Sequence, residues 1–74
     1  MKLPILSGYK IVKKLSKIGF RLTRQSGSHM ILVKEDGEKI TVVVPKHKEL
    51  ANGTLLSIIS QSGLSREEFL KLFD

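Results

Sequence analysis

The 74 residues contain no cysteine and no tryptophan, and the aromatic complement stops at three phenylalanines and one tyrosine. The first absence removes disulfides and thiolate metal sites and fits an intracellular protein. The second leaves few rings for stacking on bases. No long hydrophobic run is present: Met1-Lys2-Leu3-Pro4-Ile5-Leu6-Ser7 is too short in apolar residues, and too early broken by Pro4, for a signal segment or a membrane span. A soluble, cytoplasmic chain with no membrane attachment is expected. Acid is also missing where base is abundant. Residues 1–34 carry Lys2, Lys10, Lys13, Lys14, Lys17, Arg21, Arg24 and Lys34 and no Asp or Glu, whereas residues 35–74 carry five basic and seven acidic side chains. The net charge of +6 is therefore polarised, and a field of that kind attracts polyanions, nucleic acid foremost.

A chain this short forms one domain with a small core, burying only about 60% of the surface its unfolded form exposes. Ser7 is a good N-cap for a helix over residues 8–18, with Gly19 placed to end it. Ile11, Val12, Leu15 and Ile18 share one face of that helix, and Lys10, Lys13, Lys14 and Lys17 repeat the same spacing on another. With no acid between them, these lysines form no helical ion pairs and repel one another. That cost favours a binding role over a plain solvated face.

Phe20 to Gln25 alternates apolar and polar, with Phe20 and Leu22 on the expected buried side. The turn Ser26-Gly27-Ser28 leads to a second strand over 29–34, and Asp36-Gly37 signals a tight hairpin before a third over 39–44, ended by Pro45. An antiparallel meander results. Its second and third strands are apolar at both parities, so an edge or face of the sheet is expected to be completed by a partner or a second copy of the chain. After the charged connection Lys46 to Gly53, a helix start at Asn52–Thr54 precedes the apolar positions Leu55, Leu56, Ile58 and Ile59, and Gly63 marks the end. Ser65-Arg66-Glu67-Glu68 reads as a capping box opening a last short helix with Phe69, Leu70, Leu72 and Phe73. The order is α-β-β-β-α plus a terminal helix, an α+β domain in which helices pack on one face of a three-stranded antiparallel sheet. This is also the topology of double-stranded RNA-binding domains.

His29 follows the glycine-serine turn within this basic half. A histidine titrates near neutral pH and can give or take a proton. RNA can be cut by its own 2′-hydroxyl if a group removes that proton, another steadies charge on the phosphate, and the leaving 5′-oxygen is helped. His29 suits the proton transfer. Backbone N–H groups around Gly27 and the hydroxyls of Ser26 and Ser28 suit the phosphate, and Arg24 or the lysines suit the developing charge. His47, between Lys46 and Lys48 in a second basic segment, is a candidate for the other half of an acid/base pair. Plainer readings stand beside these: a hairpin turn at 26–28, a partly buried strand histidine at 29, and a histidine at 47 that only bonds backbone. Metal chemistry finds little support, because the two histidines lie far apart in sequence, no carboxylate cluster accompanies them, and Glu35, Asp36 and Glu38 crowd a hairpin tip. Phosphate-loop and dinucleotide motifs are absent.

Five segments in order, Gly19-Phe20, Gly27-Ser28-His29, Val44-Pro45-Lys46-His47, Gly53-Thr54-Leu55 and Gly63-Leu64-Ser65-Arg66-Glu67-Glu68-Phe69, resemble the HicA family of toxins over nearly the whole chain. The resemblance implies a single HicA-like domain over 1–74, needing no cofactor or metal. It further implies an mRNA interferase, a toxin neutralised by a HicB antitoxin, with the catalytic histidine at His29. RNA contacts are expected at Lys10, Lys13, Lys14, Lys17, Arg24, Ser26, Gly27, Ser28, Lys46, His47 and Lys48. The alternatives are a small RNA-binding module without catalysis and an adaptor that binds only protein.

Overall fold

The computed structural model describes residues 4–73. Their order is α1 (Gly8–Ser16), β1 (Arg21–Ser26), β2 (His29–Asp36), β3 (Glu38–Pro45), α2 (Asn52–Ser62) and α3 (Arg66–Lys71). Side chains cap two of the three helices. The Ser7 hydroxyl accepts the Lys10 N–H at 3.2 Å, and Ser65 and Glu68 form the reciprocal capping box of α3. At α2 the cap position is Ala51, with no side-chain bond, because Asn52 already lies inside the helix. Regular α-helix stops at Ser16 instead of reaching residue 18. The N–H groups of Lys17 and Ile18 turn back to the Lys14 and Leu15 carbonyls, an i to i−3 pattern that tightens the last turn. Ile18 still packs against the core.

The sheet is an antiparallel meander in the order β1-β2-β3. Met30 pairs with Val44 and Leu32 with Val42, all four fully or almost fully buried. They face Ile11 and Leu15 of α1, Phe20, Leu55 and Ile58 of α2, and Phe69 of α3 in one continuous cluster. Full burial of such a side chain contributes about 1.5–3 kcal/mol relative to exposure. The alternate residues make the outer face: His29 opposite Pro45, Ile31 opposite Val43, Val33 opposite Thr41. Val33 is buried yet stands outside the core cluster, as a central-strand residue flanked on both sides would.

Two expectations are modified. Leu22, expected on a buried face, is 47% exposed, and every residue of β1 is exposed. β1 is an edge strand, its register shifts between Leu22 and Arg24, and the helix packed chiefly on it is α1, α2 packing chiefly on β3. The apolar outer face that suggests a completing partner is real in part: Val43 remains 36% exposed and Ile31 half-buried.

Candidate functional site

One end of the sheet gathers the turn 26–29, the segment after β3 and the start of α1. Ser26 pairs across to His29, leaving Gly27-Ser28 as a two-residue loop. Gly27 has φ +58° and Ser28 does not share the positive φ, the arrangement of a type II′ hairpin turn with glycine first. A side chain at 27 would meet nothing within 4 Å, so the backbone there is open to approach. His29 pairs on its other side with Pro45, and the Lys46 N–H donates to the Ser28 carbonyl at 2.6 Å. The Gly8 N–H in turn donates to the His47 carbonyl at 2.9 Å, and the Leu50 N–H to that of Leu6 at 2.9 Å. A Cβ at Gly8 would overlap the Pro45 carbonyl oxygen. Three chain segments are thus locked side by side by backbone alone.

This end holds Ser26, Gly27, Ser28, His29, Lys46, His47 and Lys48, all exposed, with Lys10 in the adjoining first turn of α1. Arg24 shares the outer face with Ser26 and His29, two residues further along β1, opposite Ile31. The rest of the lysine stripe does not converge here. At 1.5 Å per residue, Lys17 lies roughly 10 Å further along the helix than Lys10, at the end where Gly19 meets the Lys34 side chain. The acids Glu35, Asp36 and Glu38 flank the opposite hairpin. The His29 end is thus basic, whereas the opposite hairpin mixes these acids with Lys34, Lys39 and Arg21.

The structure adds residues that sequence reasoning missed. Tyr9, 57% exposed, lies beneath the Lys46 ammonium, 5.8 Å from the ring centroid. Its signal was available in principle, being the one tyrosine and next to Lys10. A groove of about 350 Å³ runs from His29 between β3 and α2, with Ser57 and Gln61 on its wall. Nothing in the sequence marks these two, since only packing sets α2 along the β3 edge. Gln61 Oε1 accepts the Val43 N–H at 2.9 Å, and Gln61 Nε2 donates to the Ser57 hydroxyl at 3.1 Å. Among the described residues no three His, Cys, Asp or Glu side chains are grouped to hold a metal ion, and no helix is long and apolar enough to cross a membrane.

A helix, three antiparallel strands and helices on one face, with a basic end built around a hairpin turn, define a small α+β domain with the topology of double-stranded RNA-binding domains. A family model described as the HicA toxin of bacterial toxin-antitoxin matches residues 8–64, from the first residue of α1 to just beyond α2. The chain belongs to the HicA toxin family, and with that membership come the toxin role and an antitoxin partner. No curated protein matches the sequence.

Proposed function

We propose that this toxin is an endoribonuclease that cleaves mRNA in the cytoplasm, with His29 moving the proton. The observation that carries the reading is the setting of His29. It is an exposed imidazole at the first residue of β2, paired with Ser26 and Pro45, between an open glycine turn and Lys46, at the basic end of the molecule. The 2′-oxygen loses its proton to His29 and attacks the adjacent phosphorus. The bond from phosphorus to the 5′-oxygen breaks, and that oxygen takes up a proton, leaving a 2′,3′-cyclic phosphate and a 5′-hydroxyl. Gly27 and Ser28 backbone, the Ser26 and Ser28 hydroxyls, Lys46 and Arg24 steady the phosphate. His47, two residues past the partner of His29, is the candidate for protonating the leaving oxygen. The nucleophile is supplied by the substrate, so the step requires no metal.

The partner is a HicB-type antitoxin, and inhibition follows if it covers the His29 end with acidic groups. β1, exposed along its length, is the edge where a second chain would pair, whether antitoxin or another copy.

The test is incubation of a defined mRNA in excess EDTA with the parent and with His29→Ala, both shown to be folded. The parent cleaves, and the variant loses roughly 100- to 10,000-fold in rate, the range of a general acid–base group, while still binding RNA. Equal cleavage by both would refute the role of His29. Absence of cleavage with salt-sensitive binding would favour a non-catalytic RNA-binding module. That second reading has its own support, since Lys13, Lys14 and Lys17 lead away from His29 toward the opposite end of the sheet.

A further inference from the structure

The groove between β3 and α2 has a use that the proton transfer at His29 leaves open. Val43 and Pro45 give it an apolar floor over the buried Ile58, and Thr54, Ser57 and Gln61 a polar wall, with His29 also lining it. Its volume of about 350 Å³ falls at the lower end of small-ligand clefts, roughly 300–1,000 Å³. The wall is preorganised. Because the Val43 N–H donates to Gln61 Oε1, the amide cannot flip without losing that bond, and Nε2 keeps a second hydrogen beyond the one given to Ser57. The Ser57 hydroxyl, which accepts from Gln61, retains its own hydrogen to donate.

Gly53 adds a second, independent observation. It lies in the first turn of α2, its φ is not positive, and a Cβ there would meet nothing within 4 Å. Neither backbone geometry nor packing requires glycine, and alanine would suit the helix better. What glycine does at this point is keep the groove wide and let a ligand approach the backbone.

The geometry points to this groove as the seat of one nucleotide of the RNA strand, its base on Val43 and Pro45 and its polar edge against Gln61 and Ser57. The adjoining phosphate is thereby delivered to His29. The inference rests on the ribonuclease reading for its substrate, but binding is measurable without cleavage. A base held this way confers a preference at the cut site, because a fixed donor pair discriminates among base edges that an open basic surface does not.

The experiment is titration of the full chain with each of the four nucleoside 3′-monophosphates, followed by backbone amide shifts. Saturable shifts at Val43, Gly53, Thr54 and Gln61, larger for some bases than others, are expected, and His29→Ala should retain them. Gly53→Leu, which fills the groove from a helical position, should abolish the shifts and weaken RNA binding about ten- to a hundredfold, the effect of removing one stacked base. Its sheet amides report whether it has folded; if it has not, the parent titration decides alone. Shifts confined to the lysines of α1, equal shifts for all four nucleotides, or groove shifts with an antitoxin-derived peptide and none with nucleotides would each overturn the inference. A parent that fills the groove with nucleotide but cuts no RNA overturns the ribonuclease reading and leaves the groove standing. Cleavage dependent on His29 with an empty groove does the reverse.

Discussion

Two glycines stand in the first turns of helices in opposite surroundings, and substituting each by alanine separates packing from propensity. Gly8 opens α1 with its Cα against the Pro45 carbonyl, where a Cβ would overlap the oxygen and crowd Met30 Cε at 3.3 Å. Gly53 opens α2 onto empty space. Overpacking of a closed site costs about 1–3 kcal/mol. To relieve it, α1 must move off the 45–47 segment, straining the hydrogen bonds from Gly8 to His47 and from Lys46 to Ser28, each worth about 0.5–1.5 kcal/mol net. Against this, alanine recovers up to about 1 kcal/mol of helix propensity. The balance is a net loss of about 2 kcal/mol for Gly8→Ala. At about 4–8 °C per kcal/mol for a domain of this size, Tm falls by roughly 8–16 °C. Gly53→Ala should instead raise Tm by a few degrees. Thermal denaturation followed by far-ultraviolet circular dichroism reads both. A Gly8→Ala protein as stable as Gly53→Ala would refute the claim that the start of α1 is wedged against the end of β3, and with it the rigid placement of Lys46 beside Ser28.

The remaining predictions concern the terminal helix and the charge. Ser65→Ala removes the cap of α3 and should cost about 0.5–2 kcal/mol, read by denaturant unfolding. Glu68, whose carboxylate accepts from the Ser65 backbone N–H at 2.8 Å, is held below the ordinary carboxylate value. The chief cause is that backbone hydrogen bond, followed by the bond with the Ser65 side chain, with Lys71 adding attraction. A lowered folded-state value means that its contribution is present above the unfolded-state value and lost as pH falls through the folded one. The Tm difference between parent and Glu68→Gln should therefore be present at neutral pH and vanish in acid; a difference that persists at low pH would refute the ionic origin. For RNA binding, replacing Lys10 and Lys46 by alanine should flatten the slope of log affinity against log salt by about 0.7 for each phosphate of single-stranded RNA no longer neutralised. An unchanged slope would take both lysines off the interface.

Much of the architecture is legible from local rules. Ser7, Gly63 and the Ser65–Glu68 box act within a few residues, and the alternation in β2 and β3 names Met30, Leu32, Val42 and Val44 as one face without any knowledge of what covers them. Local pattern also places the turn at Gly27-Ser28 and so puts His29 at the head of a strand. It fails at Leu22, whose apolar character cannot reveal that β1 lies on an edge while α2 packs chiefly on β3. It fails likewise over the lysine stripe. Helical spacing shows that Lys10, Lys13, Lys14 and Lys17 share a face, but only the packing of α1 on the sheet shows that the stripe leads away from His29.

By itself, then, the sequence determines the elements, their order, the inner face of the sheet, the segregation of charge and the histidine at the turn, because helix period, strand period and capping act over fewer than about eight residues. The tertiary structure alone decided that Tyr9 sits under Lys46, and that Ser57 and Gln61 line a groove reaching His29. Those neighbours are distant along the chain and meet through strand register and through the close fit of Gly8 on Pro45. Such contacts depend on how finished elements pack, which no single segment encodes.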